Sequence, residues 1–179
     1  MVELIASLLP QEGLVLELVA GDHSFVLAER FANLIWQPTH RDLDVVASLA
    51  ARRDQANVTN MLRPLELDVT VDPWPVTHAD FITCIDFVNH VPIDTMHAMF
   101  AGAARALPAN AMLFLSGPLR FHGKFTSPAT SELDRTLRSR GGAVRDIREL
   151  TAAGTREGLA LERTIALEDQ HALVFRRRL

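Results

Sequence analysis

Short apolar runs alternate along the chain with amphipathic stretches. Runs of roughly four to eight apolar residues are typical of buried strands, and apolar positions spaced about three or four apart are typical of helices. The first half is predicted to contain strands at 14–18, 34–37, 65–69 and 80–87 and helices at 24–32 and 42–55. The second half is predicted to contain helices at 94–107, near 131–140 and after Asp146, and strands at 112–115, 159–167 and 172–178.

This alternation predicts an α/β fold with a mainly parallel sheet, right-handed crossovers and helices on both faces. The last two strands flank the acidic segment 168–170 and are predicted to form an antiparallel hairpin at the sheet edge. The sequence contains no linker or repeat, so residues 1–179 are predicted to form one domain. In such sheets ligands bind at the carboxyl ends of strands where the winding reverses, so residues that follow strands are the candidates for function.

Composition narrows the classes of partner. The chain has 18 Lys and Arg against 22 Asp and Glu, with a formal net charge of −4, which does not favour nucleic acid. A single cysteine, Cys84, lies in an apolar run, so a buried free thiol and a reducing compartment are expected. Residues 1–5 lack a basic region, and Glu12 and Glu17 interrupt the apolar character that follows. We therefore expect a cytoplasmic protein with neither signal peptide nor membrane partner.

The segment ELVAGDHS, residues 17–24, lies between the first predicted strand and the first predicted helix. This is the position of the nucleotide-binding turn in Rossmann-like folds, where backbone approaches the ligand closely. Several glycines usually permit that approach, but the segment holds only Gly21. The turn is thus predicted to retain the position of a cofactor loop with a changed composition.

Several idiosyncratic strings support a family assignment. They are WQPTH at 36–40, PLELDVT at 64–70, PWPV at 73–76, FAGAAR at 100–105, GP at 117–118 with TSP at 126–128, and VRD at 144–146. In this order they resemble a small, poorly characterised family of class I S-adenosylmethionine-dependent methyltransferase-like proteins. The resemblance covers about residues 13–175 and implies the Rossmann-like, seven-stranded methyltransferase sheet. It also implies S-adenosylmethionine as cofactor and a small molecule as substrate.

The resemblance assigns cofactor-binding roles to Glu17, Gly21 and Asp68. Glu17 and Gly21 match the family's first loop, EIxSGTGQH, and Asp68 matches the acid after the third strand, a position near the adenine in such folds. At the end of the second strand the family has WQPSD, whose acid suits ribose hydroxyls, whereas this chain has His40. An imidazole cannot replace a carboxylate as a double acceptor.

The segment after the fourth strand departs further from the family. The family has a CANMIHISP-like string here. In this chain residues 84–92 replace it, with Asp86 in place of the asparagine and Asn89 in place of the histidine. Ser116 replaces a tyrosine before Gly-Pro. Since these departures coincide at the methionine, ribose and reaction ends of the cofactor, lost or altered cofactor binding is expected.

Taken without the family, the polar residues that follow the strands form a candidate acid–base set. The candidate catalytic residues are Asp22, His40, Asp86, Asn89 and His90. Imidazole titrates near neutrality, and a neighbouring carboxylate can orient it, as His40 with Asp22 or Asp86 would do. Two imidazoles and a carboxylate could also bind a metal, but no H-x-x-x-H spacing supports one, and none is expected.

Three functions therefore remain open. The first is a divergent methyltransferase acting on a small molecule with S-adenosylmethionine. The second is an isomerase, cyclase, lyase or hydrolase that uses the acid–base residues without that cofactor. The third is a catalytically silent methyltransferase-like protein that acts through an interface, with a homodimer as one assembly compatible with the sequence.

Overall fold

The computed structural model describes residues 1–56, 58–168 and 170–179. The strands are β1 (Gly13–Leu18), β2 (Leu34–His40), β3 (Leu65–Glu66), β4 (Phe81–Ile85), β5 (Met112–Gly117), β6 (Leu119–Phe121), β7 (Lys124–Phe125), β8 (Arg145–Asp146), β9 (Leu159–Ala166) and β10 (His171–Arg177). The helices are α1 (Val2–Ala6), α2 (His23–Arg30), α3 (Leu43–Gln55), α4 (Ile93–Ala106), α5 (Pro128–Arg138) and α6 (Ile147–Arg156).

Seven strands form the central sheet in the order β3-β2-β1-β4-β5-β10-β9. The first five are parallel, and β10 runs antiparallel to both β5 and β9. The α/β class, the mainly parallel sheet and the C-terminal hairpin are therefore confirmed, although Asp169 in the hairpin turn lies outside the described residues. The winding reverses at β1, which pairs with β2 on one side and β4 on the other.

Helices cover both faces of the sheet. Residues of α4 and α6 pack with one face in the first apolar cluster, and residues of α1, α2 and α3 pack with the other face in the second. Cys84 is buried in the first cluster, as the sequence predicts. None of the helices in the described parts of the chain is long and apolar enough to cross a membrane.

The third and fourth strands are shorter than predicted. The third covers only Leu65–Glu66, because the following Asp68 accepts hydrogen bonds from the backbone N–H and hydroxyl of Thr70 and turns the chain. The fourth ends at Ile85, since Asp86 takes a left-handed conformation at φ 52°. The starts of two other helices are predicted better, since α3 and α6 begin at or just after the expected residues. In the structure Asp42 caps α3, and Asp146 forms a capping box with Glu149 at α6.

A small second sheet, in the order β7-β6-β8, was not predicted. Its hairpin turns through His122 and Gly123, at φ 52° and 80°. Positive φ at two consecutive turn residues matches the twist of a two-residue hairpin. The strands contain only two or three residues each, too few for a period-two pattern.

Asn89 joins three separate segments. Its side-chain Nδ2 donates to the carbonyl of Pro118 at 2.8 Å, and its Oδ1 accepts from the backbone N–H of Arg145 at 3.0 Å. Its own carbonyl accepts from the N–H of Ala143 at 2.9 Å. The side chain is 1% exposed, so these bonds form away from water. Asn89 thereby fixes the loop after β4 to the segments beside β6 and β8.

We predict that Asn89→Ala lowers the free energy of unfolding by about 1–3 kcal/mol, because a buried donor and acceptor lose their partners. Urea unfolding followed by circular dichroism measures the change. Asn33→Ala, which removes an exposed hydrogen bond to the Gln11 carbonyl, is the matched control and should change stability by less than about 0.5 kcal/mol. Equal effects of the two substitutions would contradict the bracing role.

We predict that Gly102→Ala destabilises the protein even though Gly102 lies inside α4. Alanine normally stabilises a helix interior by about 1 kcal/mol relative to glycine, but a Cβ at this position would overlap the indole of Trp74. Overpacking should cost about 1–3 kcal/mol. In a Trp74→Leu background the same substitution should become neutral or stabilising in urea unfolding. A destabilisation of equal size in both backgrounds would show that the indole is not the cause.

Candidate functional site

Glu17 is a buried carboxylate at the end of β1. Its side chain is 1% exposed, and neither carboxylate oxygen has a hydrogen-bond partner among the described residues. His23 approaches from the first turn of α2, with Nε2 at 2.5 Å from Oε1. This contact has the distance of an ion pair without the alignment of a hydrogen bond. Glu17 therefore retains unfilled acceptor capacity in a place where water has little access.

Opposing effects act on the pKa of His23. Burial lowers it, whereas the contact with Glu17 and the charges of Glu17 and Asp22 raise it. The net effect is a pKa above the ordinary value for histidine, so the ring carries a proton over a wider pH range. Its side chain remains 31% exposed, in contrast to that of Glu17.

The turn between β1 and α2 places its unusual backbone at Val19 and not at its glycine. Val19 has φ 58°, a left-handed conformation that costs a β-branched residue roughly 1–2 kcal/mol. A Cβ added to Gly21 would meet the His23 ring at 3.4 and 3.5 Å, an ordinary contact. Gly21 and Ser24 close the turn by exchanging two hydrogen bonds, from the Gly21 N–H to Ser24 Oγ and from the Ser24 N–H to the Gly21 carbonyl.

A cleft lies beside this turn, over the carboxyl ends of the first four strands. Its volume of about 300 Å³ includes space open to solvent. It is lined by Leu18, Val19, Thr39, Arg41, Leu67, Asp68, Val69, Phe87 and Thr95. The structure thus brings the turn and Asp68 to one cleft, as expected from the reversal of the winding at β1.

Asp68 provides the acidic group of this cleft. Its Oδ1 accepts from the Thr70 N–H at 2.9 Å and from the Thr70 hydroxyl at 2.7 Å. These bonds, together with the charge of Arg41, lower the pKa of Asp68 despite partial burial. The other carboxylate oxygen makes no hydrogen bond within the described segments, so an ionised acceptor remains available to a ligand.

His40 and Asp22 turn towards α3 instead of towards each other. His40 Nδ1 accepts from the backbone N–H of Asp42 at 3.0 Å, so a neutral ring carries its proton on Nε2. Asp22 is 91% exposed and forms an ion pair with Arg52. The orientation of His40 by Asp22 that the sequence suggests is not present in this structure.

The residues after β4 have two different surroundings. Asp86 and His90 are exposed, and neither side chain forms an ion pair or hydrogen bond within the described residues. Asn89 is buried, and its side-chain amide is hydrogen-bonded to the backbone of Pro118 and Arg145. In the described parts of the chain, no group of three or more His, Cys, Asp or Glu residues is arranged to hold a metal ion.

Three polar residues near the carboxyl ends of the strands were not among the predicted site residues, although Ser116 was noted as replacing a tyrosine. Thr83 lies beside Glu17 in the sheet register. Its hydroxyl is buried and has no hydrogen-bond partner in the described part of the chain, as is also true of Ser116 on β5. Thr39 donates to the Glu17 carbonyl at 2.8 Å and also lines the cleft. Their position in the sequence could have identified them, because each of these residues lies one or two places before the end of its strand.

A second, more open basin of about 670 Å³ lies beside the small sheet. Its charged groups pair mainly with one another: Arg148 contacts Asp146 at 3.0 Å, and Arg120 approaches Glu149 at 3.7 Å. None of the predicted site residues lines this basin. The cleft lined by Val19 and Asp68 is therefore the better candidate site.

Solved structures of methyltransferases are similar to this chain. CalO1, a methyltransferase in calicheamicin biosynthesis in its SAH-bound form, is 20% identical with a TM-score of 0.77, covering 94% of this chain and 50% of that one. An O-methyltransferase family 2 protein from Planctomyces limnophilus in complex with apigenin is 18% identical, also at 0.77, covering 96% and 56%. Human N-acetylserotonin methyltransferase in complex with SAM is 12% identical at 0.78, covering 93% and 48%. The present chain thus spans about half the length of these proteins, and the likeness shows the fold.

One sequence family matches almost the whole chain. Its description is "Protein of unknown function (DUF938)", and the match covers residues 1–177. Together with the sheet order and the structural neighbours, this match confirms the resemblance inferred from the sequence strings. The chain belongs to the DUF938 family and has the fold of class I S-adenosylmethionine-dependent methyltransferases.

Proposed function

We propose that this protein binds S-adenosylmethionine and methylates a small molecule. The observation that carries the proposal is Glu17, a buried carboxylate near the carboxyl end of β1 that contacts the partly exposed ring of His23. Its two oxygens lack hydrogen-bond partners among the described residues. An ionised group in such a place costs free energy unless cations or donors surround it. The ammonium group at the amino-acid end of the cofactor supplies both a charge and three donors.

The cleft offers a place for the adenosine end. Asp68 presents an ionised acceptor suited to the exocyclic amino group of adenine, while Leu18, Val69 and Phe87 give the cleft apolar surface. Glu17 and Asp68 thus provide acceptors for the two ends of one extended ligand. Structural neighbours of this fold support the assignment, since two of them hold SAH or SAM.

Two features would alter how the cofactor is held. His40 Nε2 presents a donor where the family has a carboxylate acceptor for ribose hydroxyls, so that contact would differ. Val19 also places a branched side chain in the turn where glycine would allow closer approach. Both changes should weaken binding relative to a glycine-rich loop followed by an acidic strand end.

The bound cofactor would supply an electrophilic methyl group for a nucleophilic acceptor. The protein's part is to hold the acceptor near the end of β4 and to accept its proton. Asp86 and His90 are exposed at that end and are our candidates for this role, while Asn89 fixes the loop that carries them. Imidazole commonly serves as a general base in enzymes.

A second candidate function is acid–base catalysis without the cofactor. It is favoured by the contact of Glu17 with His23, since a carboxylate beside an imidazole is a common arrangement for a general base. This function would be distinguished by turnover in the absence of S-adenosylmethionine that is lost in His23→Gln. An interface role without turnover would instead leave both ligand binding and activity absent, with a homodimer detectable by sedimentation.

We predict that calorimetry detects binding of S-adenosylhomocysteine to the wild-type protein and that Glu17→Gln weakens it at least tenfold. The substitution keeps the shape of the side chain and removes the charge that pairs with the ligand ammonium, a loss that typically exceeds about 1.4 kcal/mol. Glu29→Gln, on the exposed side of α2, is the control and should bind as wild type. Circular dichroism checks that each variant folds. No binding to wild-type protein at millimolar ligand would reject the proposed function.

We predict that Asp68→Asn weakens binding of S-adenosylhomocysteine and of 5′-methylthioadenosine by about three- to tenfold. A hydrogen bond to a neutral acceptor is roughly half as strong as one to an ionised acceptor, and both ligands share the adenosine group. Asp54→Asn, exposed on α3, is the control. Unchanged affinity for both ligands would place the adenosine end outside the Asp68 cleft.

A further inference from the structure

We propose that Glu17 is a cation-exchange site, in which the ammonium group of the ligand replaces the imidazolium of His23 and binding releases a proton. This inference rests on the proposed function and adds to it a requirement on the ligand and a dependence on pH. It follows from the geometry of the Glu17–His23 contact, from the charges around it and from the chemistry of the two competing cations.

Glu17 and His23 differ in solvent exposure and therefore in freedom to move. Glu17 belongs to β1, an interior strand of the sheet, is 1% exposed and cannot reach bulk water. His23 is the first residue of α2, and its side chain is 31% exposed. An incoming cation can therefore displace the ring towards solvent, whereas the carboxylate has to stay. The exchange leaves Glu17 neutralised throughout.

The helix itself does not favour a charged His23. The first turn of α2 carries the positive end of the helix dipole, which opposes an imidazolium. Within the described residues, the charged groups that act on His23 are Glu17 from β1 and its neighbour Asp22, which is paired with Arg52 of α3. Since Asp22 is already neutralised and exposed, Glu17 is the main anion that keeps the ring protonated.

Two cations beside one buried carboxylate repel each other. The ligand ammonium keeps its proton near neutral pH, because the pKa of an alkyl α-amino group lies above that of histidine. The imidazole is therefore the group that deprotonates. A neutral His23 can stay nearby or turn outward without the cost of a second positive charge.

This exchange distinguishes two classes of nucleoside ligand. Ligands with an amino-acid tail, such as S-adenosylhomocysteine, should bind with release of a proton. Ligands that share the adenosine group but lack the ammonium, such as 5′-methylthioadenosine, leave the contact intact and should release none. The sign for pH follows: as pH falls, His23 becomes protonated, and affinity for the first class falls by up to tenfold per pH unit.

Calorimetry in buffers of different ionisation enthalpy tests the proposal. Both ligands are titrated between about pH 5.5 and 7, below the range in which α-amino groups titrate. For S-adenosylhomocysteine we expect up to one proton released per ligand bound and an affinity that falls as pH falls. For 5′-methylthioadenosine we expect no proton release and a flat profile.

The variant His23→Gln should bind S-adenosylhomocysteine without proton release and with an affinity that no longer depends on pH. His78→Gln is the matched control, because His78 also lies beside a carboxylate, Asp80 at 3.3 Å, but outside the cleft. Proton release should persist in this control. If His23→Gln does not fold, the Cε1 proton resonance of His23 in the wild-type protein gives its pKa directly, which should fall when S-adenosylhomocysteine binds.

The outcomes separate this inference from the function on which it rests. Binding of S-adenosylhomocysteine with no proton release and an unchanged His23 titration overturns the exchange and leaves the proposed function standing. No binding of S-adenosylhomocysteine at any pH overturns both. Equal proton release with both ligands would show that the adenosine group, and not the ammonium, is linked to protonation, and would also overturn the exchange.

Discussion

The reversal of the winding at β1 is the constraint on which the site depends. Because β1 pairs with a strand on each side and both faces of the sheet carry helices, a polar side chain among its last residues can be buried, as the 1% exposure of Glu17 shows. Glu17 occupies that place, so the charge must be compensated by a group that reaches over the sheet edge. The turn, its retained glycine and the first residue of α2 are arranged around this requirement.

The elements of the fold follow closely from local patterns in the sequence. Apolar runs identify the buried strands, and side chains such as Asp42 and Asp146 mark helix starts because their capping bonds lie within a few residues. The third strand was predicted too long because a turn at Asp68 ends it, and the small sheet was missed because its strands are too short for a pattern. The ends of an element are thus predicted poorly where a local turn, such as the one at Asp68, determines them.

The candidate site was predicted less completely, for a different reason. The rule that ligands bind at strand ends locates Glu17 and Asp68 at a common edge, and the structure brings their neighbours into one cleft. The partners of Asp22 and His40 are supplied by α3, however, and depend on how that helix packs. Likewise, the adjacency of Thr83 to Glu17 depends on strand order, which local periodicity does not encode.

The hydrogen bonds of Asn89 limit which side of the cleft could open to admit a ligand. Asn89 ties the loop after β4 to two other segments. This side of the cleft is therefore rigid, because a rearrangement would break several buried hydrogen bonds together. The opposite wall, residues 19–24, includes more exposed groups: Asp22, paired with Arg52, is 91% exposed, and the His23 ring is 31% exposed. Entry and departure of a ligand would then depend on residues 19–24, a short turn that borders the cleft and is also the part of it that can move more readily.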